Sequence, residues 1–205
     1  FIKGNGLGSF KIKNKVNIDA GNSGTFARLL LGLLIKGTHK VKLKGDKSLS
    51  RRDFLRISEP LKRFGSNFIL NKKGGLPLEI HASEFIKPIQ YKETRGSAQC
   101  KSSVMLAALS SPGKTIIEAK KSRDHTELFF KYLNLPIKII KKRRYDIIHI
   151  KGEQQFCSFK YQIPGDISSS SFFVVLTLLS RKSELKIKNV NVNPSRVGFI
   201  KIINK

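Results

Sequence analysis

Gly21–Leu34 reads GNSGTFARLLLGLL, a glycine and small-polar opening followed at once by an apolar run. The same plan returns as GSAQCKSSVMLAAL over Gly96–Leu109 and as GDISSSSFFVVLTLL over Gly165–Leu179. Ser, Asn and Asp accept hydrogen bonds from the free N–H groups of a helix start, so each opening predicts a helix N-terminus. Phe26, Leu29, Leu30, Leu33 and Leu34 recur at helical spacing and predict the buried face of the first helix.

Outward from these helices the three copies stay in register. Each is followed by a β-branched or alternating segment that predicts a strand: His39–Lys44, Lys114–Glu118 and Glu184–Lys188. A Ser-Arg loop then opens a second helix, at Ser50-Arg51-Arg52-Asp53, Ser122-Arg123-Asp124 and Ser195-Arg196. Phe54, Ile57, Leu61 and Phe64 predict the apolar face of the first of these helices, and Leu128, Phe129 and Leu133 that of the second. Further strands are predicted at Asn67–Leu70, Ile137–Ile140 and Ile147–Ile150. Arg52, Arg123 and Arg196 lie 71 and 73 positions apart, a period too long for an ordinary solenoid repeat. The fold class is therefore α/β: repeated units of two helices and several strands, about two complete and a third that stops inside its second helix. A unit without its closing strands cannot bury its helical face, so the sequence is expected to be a piece cut at both ends. It begins with Phe1 rather than Met, which places any targeting peptide outside it.

Composition narrows the function classes. In 205 residues, 40% are hydrophobic and 26% charged, a globular balance rather than a disordered one. The longest apolar run starts at Leu29 and breaks at Lys36, short of a membrane helix. Cys100 and Cys157 are too few for a disulfide framework or a four-cysteine zinc site, and His39, His81, His125 and His149 lack metal spacing. The net charge of +26 suggests a polyanionic partner. It is equally what a Lys-, Ile- and Asn-rich codon bias produces. The lysines are dispersed at alternate positions (Lys11, Lys13, Lys15; Lys40, Lys42, Lys44; Lys186, Lys188), as on the solvated face of strands, and only Lys141–Arg144 is a tight run.

Small polar helix starts, each with an arginine beside a further helix start, form an anion-site pattern. Free N–H groups and the helix dipole favour phosphate or carboxylate there, and arginine adds a bidentate fork. Capping alone explains any one segment; the repetition in register brings the anion reading level with it. Gly4-Asn5-Gly6-Leu7-Gly8 lacks a following helix and reads as a loop, and Cys100 reads as a packing residue.

The combination of Asp19–Leu31 (DAGNSGTFARLLL), Gly45–Arg56 (GDKSLSRRDFLR), Ser97–Leu109 (SAQCKSSVMLAAL), Ser122–Glu127 (SRDHTE) and Pro164–Phe173 (PGDISSSSFF) resembles the 5-enolpyruvylshikimate-3-phosphate synthases, with a weaker match at Val190–Ile200. The resemblance spans nearly the whole chain. It implies the enolpyruvyl transferase fold, two domains built from six copies of one unit with the active site in the cleft. Residues 1–162 would be most of the first domain and 163–205 the start of the second, with Pro164-Gly165 as hinge. It implies transfer of the enolpyruvyl group of phosphoenolpyruvate to the 5-hydroxyl of shikimate 3-phosphate, in aromatic amino acid and chorismate biosynthesis. By the same resemblance the complete protein is a cytoplasmic monomer that uses no cofactor or metal and binds neither nucleic acid nor membrane.

Residue by residue, the resemblance assigns Asn22, Gly24, Arg52 and Gln99 to phosphoenolpyruvate. It assigns Thr25, Ser97, Ala98, Gln99, Ser122 and Arg123 to shikimate 3-phosphate. Gln99 would touch both substrates. Two departures bear on the Arg52 loop: Asp53 stands where the family usually has Pro, and Leu55 where Gly is common. The family's early Lys-Ser…Arg motif would precede Phe1, and its acidic, lysine and further arginine groups would follow Lys205. No catalytic residue is therefore expected within the chain, and alone it should be inactive. The rival enolpyruvyl transferase acting on UDP-N-acetylglucosamine usually carries a cysteine in the loop matching Gly45–Arg52, where this sequence has none. A basic nucleic-acid-binding module has only the charge in its favour. A degenerate pseudoenzyme is opposed by the presence of Arg52, Gln99 and Arg123.

Overall fold

The computed structural model describes residues 3–10, 12, 15–155 and 157–204; Lys11 and Lys13 of the alternating lysines lie outside them. The chain divides into two compact units, Phe1–Ser122 with Thr126–Cys157, and Arg123–His125 with Ser158–Lys205.

The first unit holds two copies of one design. In the first copy, β1 (Lys15–Asp19), α1 (Gly24–Leu33), β2 (Lys40–Lys44), α2 (Lys47–Ser50), α3 (Leu55–Lys62), β3 (Asn67–Leu70) and β4 (Leu78–His81) follow in order. The second copy has β5 (Gln90–Glu93), α4 (Ala98–Ser110), β6 (Lys114–Lys120), α5 (His125–Tyr132), β7 (Ile137–Lys141) and β8 (Tyr145–Lys151). Their sheets have matching orders, β1-β2-β4-β3 and β5-β6-β8-β7. In each, the first two strands are parallel and the other two pairings antiparallel. Parallel neighbours need a crossover, and α1 and α4 supply it. The leading strands β1 and β5 are additions to the sequence-based plan. They are short, polar and half exposed, and so carry little hydrophobic signal.

Leu31, Val41, Leu43, Phe54, Ile57, Leu61, Phe64 and Ile80 are sealed in the first copy, as are Val104, Met105, Ile117 and Ile148 in the second. The predicted face of α3 is thus the buried one. That of α1 is only partly so: Leu34 is buried and Leu30 packs on the core, but Phe26 is exposed, and the helix itself buries Gly24, Ala27, Arg28, Leu31 and Gly32. The reason is α4. A Cβ on Gly32 would stand 2.2 Å from the carbonyl oxygen of Ser103, and Ser103 Oγ donates to the carbonyl of Arg28 at 2.8 Å. The helices meet through their smallest residues. In α5 the buried pair is Glu127 and Phe130, and Leu128 is exposed. The helix is turned so that Glu127 Oε1 meets Lys101 Nζ at 2.5 Å, both side chains 3% exposed.

The second unit contains α6 (Ile167–Leu179) and α7 (Gly198–Ile203). Asp166 caps α6, accepting from the backbone N–H of Ser168 at 3.1 Å and Ser169 at 3.3 Å. Glu184–Lys188 is not a strand. Among the described residues its place is taken by one parallel bridge, Gly165 with Val190, and no neighbouring strand accepts the backbone of 184–188. Phe172, Phe173, Leu176, Leu178 and Leu179 of α6 are exposed.

Candidate functional site

Asn22, Gly24, Thr25, Ser97, Ala98 and Gln99, singled out by the sequence, gather at the starts of α1 and α4, in the first unit. β1 ends at Asp19, whose carboxylate accepts from the backbone N–H of Gly21 at 2.8 Å and turns the chain. Ser23 then caps α1, its hydroxyl accepting from Phe26 N–H at 3.2 Å. Ser97 repeats this for α4, accepting from Cys100 N–H at 3.3 Å. The turn before it is pinned by the buried Glu93 carboxylate, which accepts from the N–H groups of Arg95 at 3.1 Å and Gly96 at 2.7 Å. Two helix N-termini, each with free donors and the positive end of a dipole, result.

Gln99 links them. Its Nε2 donates to Thr25 Oγ1 at 2.7 Å, and its Oε1 accepts from Arg28 Nη1. On the other flank Arg52 lies over Gly24: a Cβ there would be 2.8 Å from Arg52 Nη1, 3.5 Å from Leu49 and 3.7 Å from Arg28 Nη1. Glycine lets the guanidinium, or a ligand, approach the backbone. Arg52 Nη2 donates to Asn22 Oδ1 at 3.5 Å, and Asn22 Nδ2 donates to Asp46 Oδ2. Asp46 also caps α2 through Leu49 N–H at 2.7 Å. That bond, followed by the one from Asn22, holds the Asp46 carboxyl below its ordinary range.

The site is cationic. Arg28 is 5% exposed, with its guanidinium 5.5 Å over the ring of Phe54. Burial, then the neighbouring charges of Arg56 and Arg52, pull its pKa below the usual arginine value. Asp53 is occupied elsewhere: Oδ1 accepts from Leu55 N–H at 2.8 Å, and Oδ2 sits 3.5 Å from Arg95 Nη1. The unusual carboxylate at this position thus closes off the start of α3 and pairs with an arginine other than Arg52. Leu55 rests against Gly74, whose Cβ would stand 2.7 Å from its Cδ1. Cys100 is 2% exposed, and burial pushes its thiol up, away from nucleophilic behaviour.

The structure therefore brings together Asn22, Gly24, Thr25, Arg52 and Gln99, with Ser97 and Ala98 opening α4 beside Gln99. Ser122 follows β6, its hydroxyl buried with no hydrogen-bond partner. Arg123 belongs to the second unit. The sequence reading passed over Arg28 and Asp46. Arg28 had one signal available, a charge three residues after Thr25 inside an otherwise apolar helix. Among the described residues no three His, Cys, Asp or Glu side chains group as metal ligands, and no helix is long and apolar enough to cross a membrane.

Comparison with known proteins gives one answer. The family model described as EPSP synthase (3-phosphoshikimate 1-carboxyvinyltransferase) matches residues 1–205. A protein of that enzyme name from Caldicellulosiruptor bescii is 40% identical over 100% of this chain and 47% of its own length. One from Leuconostoc citreum is 38% identical over 93% of this chain and 44% of its own. The solved structure of EPSP synthase from Acinetobacter baumannii superimposes with a TM-score of 0.80 at 33% identity, covering 92% of this chain and 42% of that one. The chain spans about half the length of the curated relatives it matches.

Proposed function

This chain belongs to the EPSP synthase family, and we propose from that premise that it supplies the first substrate-holding half of an enzyme that moves the enolpyruvyl group of phosphoenolpyruvate to the 5-hydroxyl of shikimate 3-phosphate, releasing phosphate. The observation that carries this is the bridge at Gln99, which ties two cationic helix starts into one wall. Both substrates are anions. Preorganised N–H groups and guanidinium forks stabilise them without rearranging during the reaction.

In this reading Asn22, Gly24, Arg52 and Gln99 hold phosphoenolpyruvate. Arg52 faces its carboxylate or phosphate, and the bare Cα of Gly24 gives it room. Thr25, Ser97, Ala98, Gln99, Ser122 and Arg123 hold shikimate 3-phosphate. The Ser97 and Ser122 hydroxyls and the free N–H groups of α4 address its phosphate. The unpartnered Ser122 hydroxyl supports that assignment, since a buried polar group without a partner is costly until a ligand satisfies it. Addition of the 5-hydroxyl to the enol carbon, with a proton to the neighbouring CH2, gives a tetrahedral intermediate. Loss of phosphate together with a proton from that CH3 group restores the vinyl group and completes the transfer. The groups that move protons lie outside these 205 residues. Residues 1–162 belong to one domain and 163–205 open the next. The complete enzyme works as a cytoplasmic monomer without cofactor, nucleic acid or membrane.

A phosphate-release assay with both substrates tests this. The 205-residue chain alone is expected to show no turnover, while an enzyme of the relatives' full length carrying it turns over. Substrate-dependent release by the short chain would place the proton-transfer groups within it and refute the assignment.

A further inference from the structure

We propose that Arg28 is a positioning residue that fixes which way the side-chain amide of Gln99 points. The inference deepens the reading above and rests on it for what Gln99 contacts. The amide has two orientations, related by exchanging its oxygen and nitrogen. Thr25 cannot choose between them, because a hydroxyl both donates and accepts. Arg28 can. A guanidinium only donates, so the face of Gln99 turned to Arg28 Nη1 must be the oxygen, and Nε2 must then face Thr25 Oγ1, as found at 2.7 Å. One amide proton is used on Thr25, and the other is left as a donor of known direction for an anionic substrate.

Arg28 is an improbable residue for packing alone. It is 5% exposed in the middle of an apolar helix, its Nε is buried without a partner, and among its charged neighbours Arg56 and Arg52 outweigh Asp53. A buried cation among like charges opposes folding, and a leucine would suit that helix face better. The surroundings instead hold the guanidinium still. Phe54 lies beneath it, and Ser103 Oγ ties the Arg28 carbonyl to α4, the helix that carries Gln99. Position and partner are thus locked to the same two helices.

A double-substitution cycle in an enzyme of the relatives' full length carrying this chain is the test. It is read by steady-state kinetics and by the nuclear magnetic resonance signals of the Gln99 side-chain amide. Arg28→Met is expected to lower kcat/KM for both substrates roughly tenfold or more, and to shift the two amide proton signals towards free-amide positions. Combined with Gln99→Ala it should cost no more than Gln99→Ala alone. Additive losses, or unchanged amide signals in Arg28→Met, would overturn the proposal. Should Arg28→Met not fold, Arg28→Lys carries the test: a donor-only head should keep the orientation and recover much of the activity, and loss equal to that of Gln99→Ala overturns it. If Gln99→Ala leaves both substrates unaffected while the amide signals still respond to Arg28, the substrate reading fails and the positioning stands.

Discussion

Helices α1 and α6 are written on one plan and end in opposite surroundings. Both start at a small-polar cap, Ser23 or Asp166, and run apolar for the rest of their length. In α1, Ala27 and Leu31 are sealed in the core; in α6, Phe172 is 78% and Leu179 80% exposed. The difference lies in what surrounds each helix. The first two copies have four-stranded sheets, and the third, among the described residues, has a single bridge at Gly165 and Val190. The arginines differ in the same way. Arg52 faces the neutral amide of Asn22, whereas Arg196 meets the carboxylate of Asp166 at 3.2 Å and is spent on the cap. Repetition of sequence has preserved the helix start and not the job done there.

The largest effect should come where the second copy is most committed. Lys101→Met leaves Glu127 buried with its carboxylate unpaired and should cost about 3–5 kcal/mol, seen as an early urea transition of the first unit. If the loss is below about 1 kcal/mol, the pair is not buried in solution. Next, Leu31→Ala in α1 should cost about 2–5 kcal/mol through the cavity it leaves, whereas Leu179→Ala in α6 should fall within about 0.5 kcal/mol of the parent and reduce light scattering. Equal losses in the two helices would erase the contrast. Third, Arg52→Ala should raise the phosphoenolpyruvate requirement of a full-length enzyme roughly ten- to a hundredfold, the worth of a charge-assisted contact, and Arg196→Ala should leave it unchanged. Steady-state kinetics decides, and the reverse order would reassign the anion site.

The smallest effect is on pH. Glu79 accepts from Lys15 Nζ at 2.6 Å and from His81 Nε2 at 2.7 Å. The hydrogen bond from Lys15, then that from His81, draws its carboxyl down to about 2 from 4.5. Because the folded value is the lower one, this contribution is present above pH 4.5 and is lost as pH falls towards 2. Glu79→Gln should flatten that limb of the first unit's acid unfolding curve. An unaltered curve would show the cluster to be idle.

Much of this was readable from residue order. The helix starts, the repeat, β3 at Asn67–Leu70 and the buried face of α3 all follow from caps and periodicity. The inward faces of α1 and α5 followed only in part. In α1 the small residues Gly32 and Ser103 let α4 approach and Arg28 turns inward to Gln99, and in α5 Glu127 turns inward to Lys101. A hydrophobicity pattern treats both charges as outward-facing. The strand expected at Glu184–Lys188 failed for the complementary reason, since β-propensity needs a neighbour to act on. The convergence of Asn22, Arg52 and Gln99 was legible only through the family resemblance, because spacing does not say which loops meet.

The crossing of α1 and α4 has a consequence in the language of mutational tolerance. Most buried positions accept a limited alphabet, and selection searches within it. Position 32 has an alphabet of one: every missense change adds a Cβ, and the Ser103 carbonyl already stands 2.2 Å from where it would be. A deep scan of the gene should therefore show Gly32 as intolerant as any ligand-binding residue, although it faces no ligand. Invariance there would record the joining of two copies into one body, and would mislead anyone who read it as chemistry.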